Sequence, residues 1–307
     1  MAWAWPVRAA HNGGGIGPSW HPLGRWLALD GVGRVHVVTV PCRDPHAATH
    51  PRDVLLIHGY LQSSWTWRQN LEALAAQLQV HAVCVPGFGW SDKPRHIGYS
   101  LPEQAARLWQ VLDSLGVQQA HLVGNSLGGA TALQMAVQAP ARVGRLVLVN
   151  PAGHGLYPMA ALASLQHELA EPLLHLPGIP TLLRLGLQYG AYANLDVDAA
   201  FLQRFLQPLQ TAGAKRAALQ VARHFNRDLR ALDRRLGEVQ APALLMWGQG
   251  DRVVPLAAVQ RLARALADAR LELYDCSGHC PMEEEPRRFN RETLAFLSGH
   301  TASGACA

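Results

Sequence analysis

Three residues, each in a loop that follows an apolar run, have the types needed for nucleophilic chemistry at a carbonyl group. Ser126 lies in Gly124-Asn125-Ser126-Leu127-Gly128, after the apolar run AHLV and before ATALQMAVQAP, a stretch with a helical pattern that ends at Pro140. A Gly-x-Ser-x-Gly pattern in that setting predicts a sharp strand-to-helix turn that lifts the serine hydroxyl above the sheet. The flanking glycines suit a turn in which backbone and side chains approach closely. Taken alone, Ser126 also reads as an ordinary helix N-cap, a position that favours serine.

A serine hydroxyl is a weak nucleophile without a base and a third group that orients the base. In APALLMWGQGDRVVP, Asp251 comes just after an apolar run, in a Gly-containing loop closed by Pro255. Aspartate is also common in such turns for purely local reasons. Asn150, at the end of RLVLVN, is an amide and cannot carry the charge that stabilises an imidazolium. In LELYDCSGHCPMEEEP, His279 occupies another loop after a strand. The chain holds 15 histidines, and of these only His279 completes the order Ser, Asp, His on successive loops after strands.

Positioning such a set requires a sheet whose strand ends converge. Seven runs read as strands: RVHVVTV, DVLLIHG, VHAVCV, AHLVGNS, RLVLVN, ALLMWG and LELYDC. Several are apolar at nearly every position, as in parallel strands covered on both faces. Helical stretches alternate with them, which predicts an α/β fold with a mostly parallel sheet. Between RLVLVN and ALLMWG the strand rhythm stops, and Leu, Ala and Gln dominate in helical patterns interrupted by Pro172, Pro177, Pro180 and Pro208. The expected organisation is an irregular leader over 1–22, a core over 23–151 and 239–299, a helical insertion over 152–238, and a frayed tail over 300–307. Trp3, Trp5 and Trp20 of the leader are candidates to pack on the core.

The segments LIHGYLQSSWTW, PGFGWSDKP, GNSLGG, WGQGDRVVP and SGHCPMEEEPRRFN occur in that order between about residues 30 and 297. In this order they resemble the landmark segments of the α/β-hydrolase superfamily, and within it capped esterases and C-C bond hydrolases. The resemblance implies an eight-stranded, mostly parallel sheet with a helical cap inserted after the sixth strand. It implies Ser126 as nucleophile, His279 as base and Asp251 as orienting acid. Backbone N-H groups of Tyr60 and Leu127 would form the oxyanion hole, aimed at the charge that develops on the carbonyl oxygen. His58 is expected to shape the loop that carries Tyr60, and Ser91 and Asp92 to stabilise turns in PGFGWSDKP. Many relatives carry an aspartate where this chain has Cys84, which is expected to be a buried strand residue.

A serine nucleophile argues against the epoxide hydrolase and haloalkane dehalogenase branches, whose chemistry uses a carboxylate. Ester hydrolysis through an acyl-enzyme is the leading expectation, on small to medium hydrophobic substrates. C-C cleavage of aromatic ring-cleavage products is the nearest alternative. It asks for a cap cation, for which Arg184 and Arg204 are candidates, and Cys280 stands where an aromatic residue often follows the histidine. A ligand-binding protein on the same scaffold is the third reading. The insertion's charge-poor segments LYPMAALASL and LPGIPTLLRLGLQYGAY either line a substrate pocket or pack the insertion onto the core.

No cofactor or metal is expected. Cys276 and Cys280 bracket His279, but zinc there would occupy the imidazole that catalysis needs. Cys280 is instead a candidate reactive thiol at the mouth of the site. Apolar residues make up 49% and charged residues 16% of the 307 residues, a globular composition. The net charge of +5 is spread along the chain and does not point to nucleic acid. Its densest cluster, Arg223, Arg227, Arg230, Arg234 and Arg235 with Asp228 and Asp233 interleaved, reads as a solvated helix face. Five cysteines, an odd number, fit a reducing compartment. The start of the chain lacks a secretory pattern and no run of ~18 uncharged apolar residues is present. The expectation is a cytoplasmic monomer or homodimer without an integral membrane segment.

Overall fold

Eight strands form one sheet in the order β1-β2-β4-β3-β5-β6-β7-β8. They are β1 Gly24–Leu29, β2 Gly33–Val40, β3 Asp53–Ile57, β4 Gln79–Val83, β5 Ala120–Asn125, β6 Val143–Val149, β7 Ala243–Gly248 and β8 Ala269–Tyr274. This computed structural model describes residues 19–44, 46, 51–153 and 178–299. β1 and β2 form an antiparallel hairpin, and β2 also pairs antiparallel with β4. Every pairing from β4 through β3, β5, β6 and β7 to β8 is parallel. All seven expected strands form. The eighth, β1, lies at the sheet edge with only one of its six residues buried, so its sequence lacks the continuous apolar signal of the central strands.

Nine helices accompany the sheet in the described residues: α1 Leu71–Leu74, α2 Leu101–Ser114, α3 Leu127–Gln138, α4 Ile179–Gly186, α5 Ala199–Leu206, α6 Ala214–Asp233, α7 Leu256–Ala265, α8 Pro281–Glu284 and α9 Pro286–Leu297. β5 and β7 are buried at every position, because helices cover both faces. One apolar cluster, which includes Leu108, Leu112, Leu133 and Leu245, fills one side of the sheet. A second, including Trp67, Leu74, Met246 and Phe289, fills the other. α3, starting directly from β5, is buried over ten of its twelve residues.

The described chain between β6 and β7 is helical, α4 running into a π-helical turn at Leu187–Ala191 and then α5 and α6. Pro180 sits in the first turn of α4, where the missing N-H costs nothing, and Pro208 lies in the 3-10 turn that separates α5 from α6. LYPMAALASL, Pro172, Pro177, Trp3, Trp5 and the tail fall outside the described residues. Trp20 does pack on the core, and its indole N-H donates to Ser64 Oγ at 2.9 Å.

On α6 and just past its end, Arg227, Arg230, Arg234 and Arg235 are exposed and Arg223 is half-buried. Asp228 departs from the expected solvated face. It is buried, and its carboxylate accepts the N-H of Leu101, the first residue of α2, at 2.8 Å. An acid at a helix N-terminus satisfies an orphan donor and the helix dipole together, so Asp228 anchors α6 to the core.

Candidate active site

Ser126 sits between β5 and α3 with φ 55 and ψ −118. That left-handed backbone at a non-glycine residue stores on the order of 1–3 kcal/mol and is held only by its surroundings. Those surroundings are visible. The Ser126 N-H donates to Val149 O at 2.9 Å, and the Ser126 carbonyl accepts from Gly129, Ala130 and Ala152 at 3.0, 3.2 and 3.0 Å. A Cβ on Gly128 would lie 2.2 Å from the carbonyl oxygen of Ile57, and one on Gly124 would lie 2.3 Å from that of Gly128. The two glycines are therefore required by close backbone approach. The Ser126 side chain makes no capping hydrogen bond to α3, which leaves its hydroxyl free of the helix N-cap role.

Asp251 follows β7, and its side chain is fully buried. Oδ1 accepts the N-H groups of Val253 and Val254 at 2.6 and 3.0 Å. Oδ2 lies 2.8 Å from His279 Nδ1. An imidazole whose Nδ1-H donates to a carboxylate presents Nε2 as its acceptor. Ser126 and His279 line the same cavity, with a volume of about 330 Å³. The structure thus brings Ser126, Asp251 and His279 into one site from three separate loops.

His279 is held through its backbone. Its N-H donates to Ala191 O at 2.5 Å, and its carbonyl accepts from Asn125 Nδ2 at 2.9 Å. A Cβ on the preceding Gly278 would lie 2.4 Å from that same Ala191 oxygen. The Glu284 carboxylate accepts the N-H groups of Ala193, Asn194 and Gly278 at 2.7, 3.0 and 2.8 Å. Burial pushes the Glu284 carboxyl up, against the downward pull of these amides. The histidine loop and the chain after the π-helical turn are therefore one hydrogen-bonded unit. Sequence reasoning missed Asn125 and Glu284. The GNS and EEE strings were visible, but nothing in them says which carbonyls and amides they meet.

The N-H of Leu127, first in α3, has no intrahelical acceptor and lies at the positive end of the helix. Among the described residues neither it nor the N-H of Tyr60 is spent on a protein hydrogen bond. Tyr60 lines the cavity, and its hydroxyl is tied back to Ala218 O at 2.9 Å. His58 behaves as expected for a loop-shaping residue. Val85 N-H donates to its Nε2 at 3.0 Å, so Nδ1 carries the proton and donates to Gly59 O at 2.8 Å. Burial lowers its pKa to about 4, and the imidazole is neutral. Ser91 and Asp92 do more than stabilise turns. Ser91 Oγ and Asp92 Oδ2 accept the N-H groups of His36 and Arg34 at 2.9 and 2.7 Å, tying their loop to β2.

The rest of the cavity is mostly apolar, with Leu187, Phe205, Phe225, Val253 and Val254 on its walls. Of LPGIPTLLRLGLQYGAY, Gly186, Leu187, Ala191 and Tyr192 face the cavity, whereas Leu182, Leu185 and Tyr189 are 63%, 47% and 65% exposed. Neither Arg184 nor Arg204 lines the cavity. Arg184 is exposed and its Nε donates to Val197 O at 3.1 Å. Cys280 lines the cavity but is 1% exposed. Burial, with Glu283 and Glu284 nearby, pushes its thiol well up, so it lacks the thiolate character of a reactive cysteine. Cys84 is buried at the end of β4 against Ser64 Oγ at 3.2 Å. Among the described residues no group of three His, Cys, Asp or Glu is placed to hold a metal ion, and no helix is long and apolar enough to cross a membrane.

Comparison with known proteins agrees with this fold. The family model described as alpha/beta hydrolase fold matches residues 54–286. The chain is 34% identical over 257 residues to a 2-hydroxy-6-oxo-6-phenylhexa-2,4-dienoate hydrolase of Comamonas testosteroni, covering 80% of this chain and 87% of the relative. It is 32% identical over 255 residues to a 2-hydroxy-6-oxononadienedioate/2-hydroxy-6-oxononatrienedioate hydrolase of Paraburkholderia phymatum, covering 80% and 86%. Among solved structures, an alpha/beta hydrolase fold protein from Burkholderia ambifaria superposes with a TM-score of 0.74 at 25% identity, covering 89% of this chain and 98% of that one. With its sheet order, its strained Ser126 turn and these relatives, the chain belongs to the α/β-hydrolase family and is a hydrolase.

Proposed function

We propose that this chain is a serine hydrolase that cleaves the C-C bond beside a ketone carbonyl in a 2-hydroxy-6-oxo-dienoate, with an apolar group on the carbonyl carbon. The observation that carries the reading is the 32–34% identity, over four fifths of the chain, to hydrolases named for 2-hydroxy-6-oxo-dienoates, of which the 34% identical one is named for a substrate with an apolar phenyl group on that carbonyl. They reverse the order in which the sequence placed ester and C-C cleavage. In the proposed reaction His279 takes the proton of Ser126, and Asp251 holds the imidazole in its tautomer and stabilises its charge. The N-H groups of Tyr60 and Leu127 stabilise the oxyanion. His279 then returns a proton to the leaving carbon, and water takes the place of Ser126 on the acyl group. The helices between β6 and β7 act as a cap whose inner face selects the acyl group.

Ester hydrolysis is the second reading, and one observation favours it. No Lys or Arg lines the cavity among the described residues, and residues 154–177 contain neither, so a dienoate carboxylate has no evident cation there. Steady-state rates on 2-hydroxy-6-oxo-6-phenylhexa-2,4-dienoate and on p-nitrophenyl esters of two to eight carbons separate the two. The C-C reading expects kcat/KM on the dienoate to exceed that on every ester. The reverse order would replace it with the ester reading. Equal rates for wild type and Ser126→Ala on all substrates would overturn both.

A further inference from the structure

Asn150, which as an amide is no candidate for the acid, lies directly against the acid. It follows β6, is fully buried, and has φ 43, a left-handed conformation that asparagine tolerates better than most residues. Its backbone N-H donates to Met246 O at 2.9 Å, and its side-chain Oδ1 accepts the N-H of Gly248 at 3.3 Å. Its Nδ2 donates to Asp251 Oδ2 at 2.6 Å. The neighbouring Val149 carbonyl accepts from the Ser126 N-H at 2.9 Å and from Asn125 Nδ2 at 3.2 Å. The end of β6 thus ties the turn of Ser126 to the loop of Asp251.

We propose that Asn150 is a positioning residue for the hydrolytic reaction, acting through Asp251; this rests on the Ser126-His279-Asp251 reading above. A carboxylate offers about four acceptor sites. Here Oδ1 takes the amides of Val253 and Val254, and Oδ2 takes Asn150 Nδ2 and His279 Nδ1. With three fixed donors in place, the carboxylate presents one remaining direction, and His279 occupies it. The orientation of the Asn150 amide is set by its neighbours, since Gly248 needs an acceptor and Asp251 a donor. An aspartate at 150 would have the same shape but set two carboxylates 2.6 Å apart, where like charges force them to share a proton. Asn150 does not line the cavity, so its effect belongs in the chemical step and not in substrate binding.

Cys280, Glu283, Glu284, Tyr192 and Arg252 are the other titratable groups near this unit. Glu283 is paired with Arg68 and Tyr192, Glu284 with backbone amides, and Arg252 with Tyr189 O. None of these contacts involves Asn150, so substitution there leaves them in place.

The test is the pH profile of kcat/KM for Asn150→Asp and Asn150→Gly, on whichever substrate the wild type cleaves fastest. Rates are expressed per active site by titration with a fluorophosphonate that labels Ser126. Asn150→Gly keeps the left-handed backbone and removes the donor to Asp251 together with the acceptor for the Gly248 N-H. The expected result is a per-site fall of about 100-fold for Asp and about 10-fold for Gly with KM within twofold, and an added transition on the alkaline limb in the Asp variant, where the shared proton leaves and a second negative charge appears beside His279. A merely structural residue would lower the number of active sites and leave each with the wild-type rate and limb, which would overturn the proposal. If the wild type were not labelled and Ser126→Ala kept its rate, the triad reading itself would fail, and this proposal with it.

Discussion

The loops at the strand ends and the helices between β6 and β7 meet at one cavity but are built on opposite terms. In the loops, backbone fills the space beside the glycines: a Cβ on Gly128 would meet Ile57 O at 2.2 Å, and one on Gly248 would meet Gly278 O at 1.9 Å. In the helices, Gly178, Gly186 and Gly190 have, among the described residues beyond their own chain neighbours and helix backbone, no atom within 4 Å of the corresponding position. The loops bury Asn125, Asn150, His58 and His279, each with a side-chain hydrogen bond to another segment, while the helices leave Leu182, Leu185 and Tyr189 to solvent. The lesson is that the candidate catalytic groups are held by contacts that admit one geometry, whereas the helices between β6 and β7 leave room beside their glycines.

This contrast predicts abrupt losses in the loops and graded shifts in the helices. The largest effect is expected for Asp251→Asn, a fall in kcat of about 10³–10⁴-fold measured by steady-state kinetics, because the imidazole loses its partner and tautomer. Gly128→Ala is next. Its Cβ would collide with backbone that cannot yield, and a loss above about 3 kcal/mol in urea unfolding is expected. An unchanged midpoint would mean that the turn is less constrained than its geometry indicates.

Acid should act on the loops third. Burial lowers the pKa of His58, and that of His36, to about 4 from 6.5. The unfolded chain therefore binds more protons between these values. Stability is complete above pH 6.5 and falls as the pH drops toward 4, by about 3 kcal/mol for each histidine as an upper figure. Urea midpoints at pH 7 and pH 5 read this directly, and His58→Gln should flatten the slope. The smallest effect is expected in the helices between β6 and β7. Gly190→Ala should change stability by less than about 1 kcal/mol, in the favourable direction, since the added methyl meets none of the described residues beyond its own helix turn and alanine suits a helix better. A loss of several kcal/mol there would erase the contrast between the two regions.

Much of this site was legible because its residues are local signals. Ser126 lies within a five-residue pattern, and Asp251 and His279 each follow an apolar strand, so periodicity and chain order sufficed to select them. β1 was not legible, since an edge strand with one buried residue carries little apolar signal. Arg184 and Arg204 show the converse. Both have the charge a cap cation would need, yet neither reaches the cavity, and side-chain direction on an inserted helix cannot be read from the string. Cys280 stood beside the candidate catalytic histidine in sequence, but its reactivity turned on a burial that only packing decides.

By itself, the sequence determined the strands of the central sheet, the serine turn and the order of acid and base, because each depends on neighbours within a few residues. Only the tertiary structure decided that Asn150 would brace Asp251, that Asn125 and Glu284 would hold the histidine loop, and that Asp228 would cap α2. Each of these contacts joins residues brought together by packing the sheet ends against the helices. Hydrogen-bond partners so distant along the chain, some of them backbone atoms that every residue carries alike, leave no pattern in the order of side chains.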